Sequence, residues 1–172
     1  NYPYFLATNV ILPAVLTGNV VLYKPSEICP LTGLKIHKLF LEAGIPEEVV
    51  QCFIGGKETG NFLTDLYVDG VFFTGSNRVG SIIANKCTRR FQRLVFELGG
   101  KDAVYVADDV DIDKAAASLV SGAFYNAGQS CCSVERIYVD QKIYDNFLES
   151  FCINTKKLLV GDPFSSDTDI GP

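Results

Sequence analysis

Gly70-Val71-Phe72-Phe73-Thr74-Gly75-Ser76-Asn77-Arg78-Val79-Gly80 decides how this chain is read. Gly70 to Thr74 is a short β-branched and aromatic run, which reads as a strand. Gly75-Ser76 turns it into a helix over roughly Arg78 to Cys87, with the serine hydroxyl where a helix is capped. A glycine just past a strand, a capping hydroxyl and a second glycine one turn on suit a phosphate at a helix N-terminus. The stretch is not Gly-x-Gly-x-x-Gly, and it lacks the Gly-Lys-Ser/Thr of a P-loop. An ordinary capped strand-to-helix turn therefore competes with a nucleotide site.

Outward from it, helix and strand alternate almost throughout. Upstream, Tyr4 to Thr17 reads as a helix interrupted by Pro13 and stopped by Gly18. Asn19 to Lys24 reads as a buried strand, and Pro30 opens a helix through Ala43 with Gly44 as its stop. Val49 to Ile54 reads as a strand, followed by a short helix near Thr59 to Leu66. Downstream come a strand at Arg93 to Glu97, the pair Gly99-Gly100, and a strand at Ala103 to Val106. An acidic turn (Asp108, Asp109, Asp111) caps a helix from Ile112 to Asn126, broken by Gly128. A strand at Arg136 to Asp140 and a helix at Ile143 to Leu159 close the pattern. Repeated strand–helix units predict an α/β fold, a mostly parallel sheet with helices on both faces. Gly99-Gly100 predicts a division into lobes at 1–98 and 99–172.

Composition narrows the class. The 172 residues are 48% hydrophobic and 20% charged, which excludes disorder as the bulk state. Fifteen Lys+Arg against twenty Asp+Glu give −5, with no dense basic run, so no nucleic-acid surface is expected. No apolar run reaches the roughly 20 residues of a membrane span. The chain starts at Asn1 and holds no Met, which reads as a piece of a longer polypeptide. Six cysteines show no Cys-x-x-Cys and no Cys/His ligand pairing, so no metal site is expected. They predict mostly buried free thiols in a reducing compartment, cytoplasmic or organellar.

Four places could carry chemistry. The Gly75 turn is the first. Lys24-Pro25-Ser26-Glu27 is the second, since a carboxylate at the carboxyl end of a strand can chelate ribose hydroxyls; a solvated turn punctuated by Pro25 is the plainer alternative. The third is Cys131 in Gly128-Gln129-Ser130-Cys131-Cys132, near a possible helix start whose N–H groups would lower the thiol's pKa. Its competitor is a buried small hydrophobe, weakened because adjacent cysteines cannot both face the core. Glu97 is the fourth: a carboxylate within an apolar strand is costly unless a raised pKa is useful or Lys101 or Arg93 pairs with it. His37, between Lys35 and Lys38, reads as a surface residue.

Taken in order, Asn1-Tyr2-Pro3, Lys24-Pro25-Ser26-Glu27, Phe73-Thr74-Gly75-Ser76 with Val79-Gly80, Glu97-Leu98-Gly99-Gly100-Lys101 and Asn126-Ala127-Gly128-Gln129-Ser130-Cys131 resemble the NAD(P)-dependent aldehyde dehydrogenase superfamily. Leu159-Val160-Gly161-Asp162-Pro163 and Asp169-Ile170-Gly171-Pro172 extend the resemblance over the whole chain. It implies the middle third of such an enzyme, with a Rossmann-like parallel sheet in the cofactor domain (1–98) continuing into an α/β catalytic domain (99–172). It implies Cys131 as nucleophile, Glu97 as general base and the Asn1 amide in the oxyanion hole. Lys24, Ser26 and Glu27 would meet the adenosine ribose, and Gly75, Ser76, Val79 and Gly80 the pyrophosphate. The implied cofactor is NAD, with NADP as the alternative, the substrate a small-molecule aldehyde, and the full-length assembly a homodimer or homotetramer. A CoA-acylating relative and a non-catalytic protein retaining the fold are the rival readings. Cys132-Ser133-Val134-Glu135 departs from the resemblance, since many members carry small residues after the nucleophile, and Glu135 is expected to do no more than pair with Arg136.

Overall fold

A computed structural model describes residues 1–171. The chain divides into two compact units, Asn1–Leu98 and Gly99–Pro172. In the first, the elements run α1 (Pro3–Leu16), β1 (Val21–Tyr23), α2 (Pro30–Glu42), β2 (Val50–Cys52), α3 (Lys57–Asp65), β3 (Gly70–Thr74), α4 (Asn77–Thr88) and β4 (Arg93–Glu97). The second holds β5 (Asp102–Val106), α5 (Ile112–Phe124), a 3-10 segment at Tyr125–Gly128, β6 (Val134–Val139) and α6 (Tyr144–Lys156). The strands pair as β1–β2, β3–β4 and β5–β6, each pair parallel and joined through helix. Among the described residues the parallel α/β arrangement takes the form of three two-stranded ladders.

Local chemistry explains most boundaries. Pro30 occupies the first turn of α2, where its missing N–H costs nothing, and Gly44 takes the left-handed φ of +86° that ends it. Ser76 Oγ accepts from Val79 N at 3.3 Å to cap α4, and Asp111 Oδ1 accepts from Lys114 N at 3.2 Å to cap α5. Pro13 does not interrupt α1. It lies near the end of the helix, so it removes one late hydrogen bond, while Thr17 N and Oγ1 both donate to the Pro13 carbonyl at 3.1 and 2.8 Å.

Several expectations change. β1 and β2 are three residues long, and β1 is half-buried rather than buried, because each strand has a single neighbour. The helix expected to reach Asn126 ends at Phe124, and the one expected to reach Leu159 ends at Lys156. His37 is half-buried, its Nε2 donating to the Val50 carbonyl at 2.8 Å. All six cysteines are free, but Cys87 alone is buried; Cys29 and Cys52 are half-buried and Cys131, Cys132 and Cys152 exposed.

Ile11, Ile36, Val50, Ile83 and Cys87 are buried in the first unit. In the second, Val106, Ala116 and Phe147 form a cluster packed by Ile112, Leu119, Ile137 and Phe151. A Val, Ile or Phe among them contributes roughly 1.5–3 kcal/mol when fully buried. Beyond α6, Leu159 N donates to Asp169 Oδ2 at 2.9 Å and Gly161 N to the Ile170 carbonyl at 3.0 Å, so the last two motifs fold onto each other. Pro172 lies outside the described residues. No helix among them is long and apolar enough to cross a membrane.

Candidate active site

Lys24 stands at the carboxyl end of β1. Its Nζ donates to the carbonyls of Pro25 and Gly55, both at 2.9 Å, and lies 3.6 Å from Glu27 Oε2. The ammonium is thus fixed by three oxygens, with its side chain 22% exposed against 62% for Glu27. Glu27's own backbone N–H, and then the Lys24 cation, hold its carboxyl below the usual carboxylate range. Pro25 is more than punctuation: it is buried, and a Cβ on Gly33 of α2 would come within 2.3 Å of its ring. Only glycine at 33 allows that approach. Ser26 is exposed, its Oγ accepting from Ile28 N at 3.3 Å. Tyr23, the last residue of β1, has its hydroxyl pKa raised to about 12 by burial and then by the neighbouring thiols of Cys52 and Cys29.

At the other ladder, Thr74 of β3 pairs in register with Glu97 of β4, and Gly75 N donates to the Glu97 carbonyl at 3.0 Å. Parallel pairing therefore sets the Gly75–Ser76 turn beside Glu97 at one carboxyl edge. A Cβ at Gly75 would meet the Phe73 ring at 2.6 Å, and one at Gly80 would meet Leu98 at 3.1 Å. Gly80 is buried and serves the packing of α4, whereas Gly75, Ser76 and Asn77 are exposed. Glu97 is exposed on the outward side of β4, so burial within its own strand does not raise the cost first expected of it. Lys101 pairs with Glu135, and Arg93, on the same strand, makes no ion pair with Glu97 among the described residues. Asn1 is exposed, one residue before Tyr2, whose φ of 47° is left-handed.

Cys131 lies in the second unit, just after a segment of unusual geometry. After α5, three consecutive residues adopt positive φ: Asn126 (52°), Ala127 (57°) and Gly128 (71°). Gly128 does so freely and Asn126 tolerably, but Ala127 carries a penalty of about 1–2 kcal/mol. Asn126 Nδ2 donates to the Gln129 carbonyl and Gln129 N to the Asn126 carbonyl, both at 3.0 Å. No helix starts at Cys131, contrary to expectation; Ser133 N donates to the Ser130 carbonyl at 3.2 Å and the chain enters β6 directly. Ser133 is buried, and its Oγ holds the Gly122 and Ala123 carbonyls at 3.4 and 3.2 Å. Both adjacent cysteines are exposed, and Ser130 Oγ lies 3.2 Å from Cys132 Sγ.

The sequence reading missed what supports this turn. A Cβ on Gly100 would lie 2.5 Å from the Cys131 carbonyl oxygen, so the glycine admits the turn's backbone. The double glycine is the available signal, taken in the sequence as a lobe boundary and as part of the Glu97–Lys101 motif but not as room for this backbone. Glu135 pairs with Lys101 rather than Arg136, and Arg136 Nη2 donates to the Lys101 carbonyl at 3.2 Å.

Comparison with known proteins bears on both units. A model of the aldehyde dehydrogenase family matches residues 1–172. The chain is 39% identical over 174 residues to a D-glyceraldehyde dehydrogenase (NADP(+)) of Picrophilus torridus, covering all of this chain and 35% of that protein. It superposes with TM-score 0.94 on aldehyde dehydrogenase C of Pseudomonas syringae, solved with NAD+ and octanal, at 31% identity over 99% of this chain and 36% of the other. Against a betaine aldehyde dehydrogenase of Staphylococcus aureus solved with NAD+, the TM-score is 0.95 at 34% identity, covering 99% and 34%. The chain thus spans about a third of the length of these relatives. It belongs to the aldehyde dehydrogenase family.

Proposed function

We propose that the protein oxidises a small-molecule aldehyde to a carboxylic acid with NAD, NADP being the alternative. The observation that carries this is the exposed Cys131, presented on a turn just after three left-handed residues, its carbonyl resting against Gly100. Cys131 adds as thiolate to the aldehyde carbon, forming a carbon–sulfur bond and a tetrahedral oxyanion. The Asn1 amide and a backbone N–H near Cys131 donate to that oxyanion. The nicotinamide, when bound, supplies an acceptor for two electrons and the aldehyde hydrogen. Cys131 is then acylated as a thioester. Glu97 takes a proton from water as it attacks that carbonyl, the acid departs, and the thiolate returns.

The residues fit the dinucleotide. Lys24 and Glu27 offer a donor and an acceptor for a ribose diol, with Ser26 beside them, and Gly75 and Ser76 open the N-terminus of a 12-residue helix whose first turn Val79 and Gly80 complete, Gly80 from its buried side. We assign 1–98 to the cofactor domain and 99–172 to the catalytic domain. Six free cysteines favour a reducing compartment, cytoplasmic or organellar, and the family favours a homodimer or homotetramer.

The test is turnover in the intact protein. Cys131→Ala abolishes NADH formation from an aldehyde, while Cys132→Ala retains most of it. Loss in the second variant alone reverses the assignment, and a parent that forms no NADH from any aldehyde overturns the function.

A further inference from the structure

In β5–β6, Asp102 pairs with Val134 and Ala103 with Arg136, which leaves Glu135 as an extra residue on β6. This is a β-bulge, uncommon in parallel pairs, and a bulge re-aims the side chain it carries. Glu135 is aimed at Lys101, with which it forms an ion pair. Arg136, the next residue, donates to the Lys101 carbonyl at 3.2 Å. Lys101 is therefore gripped at both its ammonium and its backbone by successive residues of β6. The residue before it, Gly100, is the one whose absent Cβ makes room for the Cys131 carbonyl. The same short strand start thus fixes the two segments that meet at the nucleophile: one through the clamp on Lys101, the other through Ser133 and the Ser130–Ser133 turn.

We infer that Glu135 is a positioning residue, holding Gly100 against the Cys131 carbonyl through Lys101 and so fixing the orientation of the turn that presents the nucleophile. The side chains of Lys101 and Glu135 are 58% and 36% exposed. An ion pair so exposed adds little to folding stability, and its use here is geometric. The inference rests on the proposed role of Cys131, and one of its two readouts is independent of that role.

The experiment compares Glu135→Gln, Lys101→Met and their double variant with the parent in the intact protein, adding Lys101→Arg, which keeps the pair. Without any substrate, amide hydrogen exchange at 130–133 should speed up in both charge-removing variants and stay parental in Lys101→Arg, with Tm almost unchanged. With aldehyde, kcat should fall about tenfold, below the roughly hundredfold that misplacing a reacting group by 1 Å costs. KM for NAD should not move. The double variant should be no worse than either single one, since both break one link. Parental exchange at 130–133, additive losses, or faster exchange spread evenly through β5 and β6 would overturn the inference. A protein inactive in every form sinks the catalytic reading while the exchange result still decides the clamp.

Discussion

The turn after β3 and the turn before β6 place the groups proposed to act on the cofactor and the substrate, and they are built in opposite ways. Gly75–Ser76 is relaxed: a capped helix start whose geometry follows from a glycine, a serine and parallel pairing with β4. The segment leading to Cys131 is loaded, with three left-handed residues in a row at 126–128, one of them an alanine, and the turn that follows is closed by Ser133 and rests against Gly100. A phosphate needs only N–H groups and an open backbone, which any capped helix provides. A nucleophile needs one orientation, and a chain holds an unfavourable one only where its surroundings over-determine it.

That contrast is open to attack from its strongest side first. Gly100→Ala puts a methyl 2.5 Å from a backbone oxygen, which must shift. The expected loss in kcat is about a hundredfold, with NAD binding by fluorescence titration unchanged. A parental kcat would show that the Cys131 turn does not depend on Gly100. Next in size is the end proposed to meet the ribose. Glu27, held ionised by its backbone N–H and Lys24, repels a 2′-phosphate, so kcat/KM should favour NAD over NADP by about tenfold, Lys24 limiting the effect. Equal values would remove Glu27 as the discriminator. Smallest is the relaxed turn itself. Ser76→Ala forfeits a cap and should cost about 1 kcal/mol of stability by urea unfolding, with kcat little changed. A large kcat defect there would mean the turn is tuned as tightly as the one at Cys131.

How legible these regions were in the sequence follows the same division. β3 and β4 fall where their apolar runs place them, Gly70–Thr74 and Arg93–Glu97, because strand, turn and cap are all local signals. The helix before Cys131 ends at Phe124, two residues short of Asn126, where the sequence pattern carries it. Ala127 is intrinsically a helix former, and nothing local says it turns left-handed. What holds the segment comes partly from further along the chain: the Ser133 hydroxyl reaches back to the Gly122 and Ala123 carbonyls of α5, and Gly100 admits the Cys131 carbonyl. His37 failed in the same way, since its flanking lysines suggest solvent while its ring bonds the Val50 carbonyl across the fold. Glu135 could not be paired correctly without the bulge that turns it toward Lys101.

The central claim is that Cys131 carries the acyl group and Glu97 activates the water that removes it. Rapid mixing of the intact Glu97→Gln variant with aldehyde and NAD tests both halves at once. The account predicts a burst of up to one NADH per site, then a steady rate slower than the parent's by about a hundred- to ten-thousandfold. Mass spectrometry of the quenched variant should find the acyl adduct on the Cys131 peptide. Steady turnover at the parent rate, with no adduct at Cys131, would contradict it.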